Sequence, residues 1–174
     1  MADDETAEAI VWQGQFITAK TRGKWEYVSR ARGIKAAVIL AMDDGHVLLV
    51  EQYRVPLGAN CLELPAGLVG DVTAGEAVET AAARELEEET GYRPARVTMM
   101  GEYYSSPGMV SESFFLVRAE GLEKVGQGGG VEDENIIVHR VPLDKVASFM
   151  AAKRAEGCAM DVKLLPLLGP QLWA

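Results

Sequence analysis

Glu85, Glu88 and Glu89 fall at i, i+3 and i+4 in a run of Ala, Leu, Val and Glu that begins at Glu76. A run of that composition predicts a helix of about four turns, from Glu76 to Tyr92. On such a helix the three carboxylates share one face, and Glu87 points to the far side. Like charges so placed repel each other, so the face needs either bulk water or a cation. A hard divalent ion such as magnesium suits an all-oxygen cluster. The plain alternative is a solvated acidic surface.

The surrounding residues decide between these readings. Gly70, Glu76, Arg84, Glu85, Leu86, Glu88, Glu89, Gly91 and Tyr92, in that spacing, resemble the Nudix box of the Nudix hydrolases. In that family the box is a loop, helix, loop unit that binds magnesium to cleave a diphosphate joined to another moiety. The segment Leu62 to Gly67, LELPAG, also resembles the sequence preceding the box in nucleotide-sugar members. By that alignment Gly67 is the first box glycine, three extra residues precede Gly75-Glu76, and the match at Gly70 is partly fortuitous. The helix register is the same either way.

Further positions carry the likeness beyond the box. Gln52-Tyr53-Arg54 before LELPAG resembles the ADP-ribose pyrophosphatase branch. Chemistry alone leaves Arg54 either a structural partner for the acidic helix or a planar fork for phosphate; the resemblance implies substrate contact. It also implies that the Ala66 carbonyl completes the metal shell, aimed by Pro65 and Gly67, and that Leu68 lies against the nucleoside diphosphate. Trp25, Glu26 and Arg30, in Trp-Glu-Tyr-Val-Ser-Arg, resemble a stretch of ADP-sugar hydrolases in which the tryptophan stacks adenine and the arginine holds phosphate or ribose. On its own, a tryptophan on an early strand is ordinary packing. In that branch the N-terminal strands are exchanged between two subunits, which implies a homodimer.

Pro107 falls 16 residues after Gly91, a spacing that resembles the ADP-sugar subgroup, where Ser106 and Glu112 align with substrate-contacting positions. Gly126 to Gly130, GQGGG, reads as a flexible run before Val131-Glu132-Asp133-Glu134, and the bland view is an acidic linker. It also resembles the mobile loop that closes over substrate in the family. Glu134 aligns with the glutamate that joins the metal site. Glu132 is the candidate general base, with Glu134 as its rival. Arg84 and Glu76 are expected to orient the carboxylates rather than to react. His139 stands alone and reads as a packed or hydrogen-bonded residue.

Around these residues the chain must build an α/β fold. Short strands are expected at 10–12, 16–18, 25–28, 36–41, 47–50, 96–104, 113–119 and 136–138, with a hairpin at Asp43-Asp44-Gly45. Val38 to Leu40 and Val47 to Val50 are continuously apolar, as in strands buried on both faces. Helices are expected over 143–155, ending at Gly157, and over 161–168. The resemblance, over roughly residues 21 to 142, implies a Nudix α/β/α sandwich with a mixed central sheet. An N-terminal antiparallel extension, residues 1–33, precedes the Nudix domain at 34–174.

With 174 residues, 48% hydrophobic and 25% charged, the chain reads as one soluble domain. A net charge of -9 argues against a general nucleic-acid surface. Phosphate must then be held by local arginines and metal. Cys61 and Cys158 lack metal or redox spacing and read as reduced buried thiols. The acidic start resembles no signal peptide, and no apolar run reaches membrane length, so the cytoplasm is the expected compartment. The resemblance implies magnesium-dependent hydrolysis of ADP-ribose or a related ADP-sugar to AMP and ribose 5-phosphate, with manganese as an alternative ion. The alternatives are a Nudix enzyme for GDP-mannose, NADH or an oxidised nucleotide, and a non-catalytic ADP-ribose sensor.

Overall fold

The structure, a computed structural model, describes residues 7–31, 33–70, 75–130 and 134–169. Strands β1 (Ala9–Gln13), β2 (Ile17–Arg22) and β3 (Trp25–Arg30) form a small antiparallel sheet of their own. Then follow β4 (Ala36–Asp43), β5 (His46–Arg54), β6 (Ala59–Glu63), β7 (Ala66–Leu68), helix α1 (Val78–Thr90), β8 (Tyr92–Tyr104) and β9 (Ser113–Lys124). The chain continues through β10 (Ile137–Pro142), a three-ten turn, helix α2 (Val146–Ala155), β11 (Ala159–Met160) and a three-ten helix, Val162–Leu168.

The main sheet is mixed, in the order β11-β6-β5-β4-β9-β8, with β10 on β5 and β7 on β4. Among its described strands, β4 with β9 and β11 with β6 run parallel and the other pairs antiparallel. The Asp43-Asp44-Gly45 hairpin forms as expected, with Asp44 and Gly45 both left-handed (φ 47° and 69°) and Asp43 opposite His46. Past that turn β4 and β5 separate, since their pairing covers only two residue pairs. β4 takes β7 and β9, and β5 takes β6 and β10. The Pro65 carbonyl enters this split and accepts the Ile39 amide at 2.8 Å.

Side chains alternate across β4 and β5 and supply two cores. Val38, Val47 and Leu49 join Leu62, Val146, Met150 and Leu164 beneath α2 and the three-ten helix. Ala37, Ile39, Ala41 and Leu48 join Ala82, Leu86, Val117 and Ala119 beneath α1. This is the α/β/α arrangement that the uninterrupted apolar strands required. Leu86 is fully buried, and truncating it to Ala costs about 2–5 kcal/mol.

The sequence reading missed β6, which forms a short hairpin with β5, and β7 and β11, whose two or three residues pair with strands distant in the chain, and it ended β9 too early. The expected second tail helix is a three-ten helix with Pro166 inside it. Among the described residues no helix is long and apolar enough to cross a membrane.

Candidate active site

Helix α1 carries the acidic residues and lies against β7 and β8. Its buried stripe is Ala81, Ala82, Leu86, Glu89 and Thr90, so Glu89 continues the apolar row of Ala82 and Leu86 inward. Glu85 and Glu88 flank that row, partly buried. Glu87 stands on the outside and pairs with Arg93 at 2.8 Å.

The turn after β6 meets this face directly. The Ala66 amide donates to Glu89 Oε2 at 3.0 Å. A Cβ added at Gly67 would lie 1.9 Å from Glu85 Cδ, so any larger residue there would displace the Glu85 carboxylate from its place against the turn. That contact supports Gly67 as the box glycine. Arg84 gathers the other acids: Nη1 donates to Glu85 at 2.9 Å and to Glu88 at 3.2 Å, and Nη2 to Glu76 at 3.4 Å. Burial works against the Arg84 charge, yet Glu76 and Glu85 hold its pKa above the ordinary arginine value.

Glu89 is 6% exposed. Burial pushes its carboxyl up to about 8; the Ala66 amide opposes the rise, Glu85 and Glu134 add to it, and Arg54 opposes it. Among the described residues no three acidic, imidazole or thiol groups form a ready-made cage for an ion. The oxygen donors nevertheless suit a hard divalent ion. A cation between Glu85, Glu89 and Glu134 would offset both the burial and the acidic neighbours that together raise the Glu89 pKa.

A cleft of about 530 Å³ opens beside the turn, with Arg30, Arg54, Ala66, Gly67, Leu68 and Glu112 in its wall. The same wall includes Glu63, Phe114, Asp161 and Lys163, which the sequence reading did not single out. Arg54 grips Glu63 through both ends of its fork, at 2.6 and 2.7 Å. Glu63 is thus a partner that the sequence reading did not name. Glu63 and Arg54 are nine residues apart on paired strands; the register sets Glu63 opposite Val50 and Arg54 opposite Ala59, on the same face, so the two long side chains meet along the sheet rather than directly across it. Lys163 pairs with Asp161 at 2.6 Å, and Arg30 with Glu112 at 2.6 Å.

Trp25 and Glu26 do not reach this cleft within one chain. Trp25, 63% exposed, lines a separate groove with Tyr27, Pro107 and Val110. Ser106 lies outside the cleft lining; its carbonyl accepts the Met109 and Val110 amides, and the neighbouring Ser105 faces the cleft instead. The 105–112 loop is tied to β3: Val28 exchanges backbone bonds with Met109 and Ser111 at 3.0 and 2.9 Å, and the hydroxyls of Ser29 and Ser111 meet at 2.7 Å. These links bring Arg30 and Glu112 together.

The glycine run, expected from sequence to be flexible, makes specific backbone bonds to α1. The amides of Gly129 and Gly130 donate to the carbonyls of Glu89 and Glu88 at 2.8 and 3.1 Å, which docks the run on the end of α1. Glu134 follows close enough to raise the pKa of Glu89. Glu132 lies outside the described residues. His139 is hydrogen-bonded as expected, its Nε2 2.9 Å from Glu51, with its ring against Phe149.

A mixed sheet between helical layers, with a glutamate-rich helix crossed by a glycine turn, defines a Nudix-type α/β protein. A family model described as the NUDIX domain matches residues 31–161, and the chain belongs to that family. It is 35% identical over 118 residues to the ADP-ribose pyrophosphatase of Bacillus subtilis, covering 67% of this chain and 62% of that one. Against the methanol dehydrogenase activator of Bacillus methanolicus it is 36% identical over 119 residues, covering 68% and 63%. The chain therefore spans less than two thirds of the length of either relative. A GDP-mannose pyrophosphatase of Cronobacter sakazakii is 33% identical over 156 residues, covering 84% and 76%. In fold, the chain resembles a crystal structure of an ADP compounds hydrolase, with a TM-score of 0.70 and 23% identity over 95% of this chain and 91% of that one.

Proposed function

We propose that this chain hydrolyses the diphosphate of ADP-ribose or a closely related ADP-sugar, releasing AMP and, from ADP-ribose, ribose 5-phosphate. The observation that carries this reading is Glu89, buried beside Glu85 at the Gly67 turn, next to a cleft holding Arg30 and Arg54. The ADP-ribose pyrophosphatase relatives from Bacillus subtilis and, at 40% identity, from Saccharomyces cerevisiae support the substrate class.

Glu85, Glu88, Glu89, Glu134 and the Ala66 carbonyl would hold magnesium, with manganese as a substitute. Such an ion neutralises diphosphate charge and lowers the pKa of a water. Arg84 and Glu76 keep the helix carboxylates oriented. A loop carboxylate, Glu132 or its rival Glu134, takes the proton as the water oxygen bonds to one phosphorus and the bridging P–O bond breaks. Arg54, steadied by Glu63, presents its cation to the leaving phosphate. Arg30 and Glu112 hold the phosphate or ribose at the other end, with Leu68 against the nucleotide and Ser106 in the adjoining loop.

The N-terminal unit, residues 1–33, acts in a homodimer in which Trp25 stacks adenine and Glu26 reads the ribose in the partner's cleft. The exposure of Ile10, Val11, Trp12, Phe16 and Trp25 on this small sheet supports an interface there. The mass in solution tests it: a monomer would remove both residues from the substrate site. The enzyme's compartment is the cytoplasm, in keeping with two buried free thiols.

The direct test is AMP release from ADP-ribose with magnesium, for the wild type and Glu89→Gln. A loss of at least about a hundredfold is expected on removing a ligand from a charge-stabilising site; unchanged turnover in the variant would refute the metal assignment. The GDP-mannose pyrophosphatase relatives, which the chain covers over a longer stretch, favour a second reading as a GDP-sugar hydrolase. A guanine preference over a panel of nucleoside diphosphate sugars would select it.

A further inference from the structure

The end of α1 is held in an unusually complete way. Every carbonyl from Glu87 to Gly91 accepts a hydrogen bond, the first from the helix's own cap residue and the other four from the glycine-rich segment or its flanks. Gly91 N donates to Glu87, Gly130 N to Glu88, Gly129 N to Glu89, Lys124 Nζ to Thr90, and the Val125 and Gly126 amides to Gly91. These are the carbonyls a helix ordinarily leaves without partners in its last turn. Two of them belong to Glu88 and Glu89, whose side chains form part of the acidic face.

The fit requires glycine at particular places. A Cβ at Gly128, where φ is 71°, would lie 2.4 Å from the carbonyl carbon of Thr90. At Gly130, where φ is 81°, it would lie 2.3 Å from Glu134 Oε2 and 2.9 Å from Glu134 Cβ. The Glu134 side chain therefore folds back over Gly130, while the Gly130 amide is fastened to Glu88. Ile136 N donates to Gly129 O at 3.0 Å and closes the turn on its far side.

We propose that Gly130 is a positioning residue: by letting the Glu134 side chain lie directly over a backbone bonded to Glu88, it sets that carboxylate in register with those of α1. The run is then a clamp rather than a hinge, and it acts through Glu134 alone. This rests on the proposed role of Glu134 at the metal site, so the experiment separates the two.

Four full-length proteins form the test: wild type, Gly130→Ala, Glu134→Gln and the double variant. Each is measured for kcat and KM on ADP-ribose with magnesium and, independently of turnover, for Mn²⁺ affinity by calorimetry. Gly130→Ala is expected to lower kcat about thirtyfold with KM within about twofold, and to weaken Mn²⁺ binding roughly tenfold, in the range seen when a supporting group around a metal is lost. The double variant should be no worse than Glu134→Gln. Gly130→Asn tolerates the left-handed backbone but carries the same Cβ, and it should match Gly130→Ala. Gly157→Ala at φ 88°, with open space around it, carries the same backbone strain far from α1 and should behave as wild type.

Losses that multiply in the double variant, or a Gly130→Ala protein at wild-type kcat and Mn²⁺ affinity, overturn the inference. If Glu134→Gln alone changes neither quantity, it is the role of Glu134 that falls. If ADP-ribose is not cleaved by any of the four, the Mn²⁺ cycle still decides the matter.

Discussion

Glu51 and Glu89 are equally hidden from water, each 6% exposed, yet their surroundings are opposite. Glu51, on β5, accepts hydrogen bonds from Asn60 at 3.0 Å and His139 at 2.9 Å and an ion pair from Lys153 at 3.0 Å. Burial alone would raise its pKa, but Lys153, Asn60 and His139 together hold it below the ordinary glutamate value. Glu89 has one amide donor, two acidic neighbours and a pKa of about 8. A carboxylate that belongs to the framework arrives with its counter-groups. One left short of positive charge beside other acids marks a place where charge is to be supplied from outside.

The comparison can be broken at several points. The largest effect is expected from Glu89→Gln, which should cost at least about a hundredfold in turnover yet stabilise the metal-free protein at high pH. A raised carboxyl pKa contributes stability below its unfolded value of about 4.5 and loses it as pH climbs towards about 8. Metal-free wild type should therefore melt below the variant at pH 9 and alongside it near pH 4. Thermal melts with chelator decide this, and a wild type that gains on the variant with rising pH would reverse the reading.

Gly67→Ala drives a Cβ into Glu85 and should lower kcat about tenfold or more while the fold persists, as seen by circular dichroism. Glu51→Ala should do the reverse. It leaves Lys153 and His139 without their acid and costs about 2–3 kcal/mol, or roughly 5–10 °C in Tm, at near wild-type kcat. Acid sharpens that contrast. Because the pKa of Glu51 is lowered, its contribution is present above about 4.5 and lost as pH falls through the folded value, so the gap in Tm between wild type and Glu51→Gln should close in acid. The smallest effect concerns Trp25. Its truncation to Ala should raise KM for ADP-ribose about fivefold if a base stacks there, and an unchanged KM would remove it from the site.

How much was legible beforehand depends on how local the cause is. The helix over 78–90 needs only its own composition and the αL glycine at Gly91, so its place and carboxylate spacing could be read directly. The hairpin at Asp44-Gly45 was legible for the same reason. β6 and β7 were not, because strands of five and three residues exist only through their pairing with β5 and β4. Likewise a run of glycines reads as flexible until the surface it packs against is known; here that surface is the end of α1, and close packing replaces freedom.

The sequence by itself determined that three carboxylates would lie together on one helix, that two strands would be buried on both faces, and that the chain would resemble the Nudix hydrolases. These follow from periodicity and residue type, which act over a few positions. Only the tertiary structure decided that Glu89 turns inward to the Ala66 amide, that Arg54 is held by Glu63, that Trp25 lies outside its own chain's cleft, and that Glu134 folds over Gly130. The first and third depend on close approach between segments far apart in the chain, and the other two on how a hairpin or loop is shaped by the surface it packs against; no local preference encodes such distances.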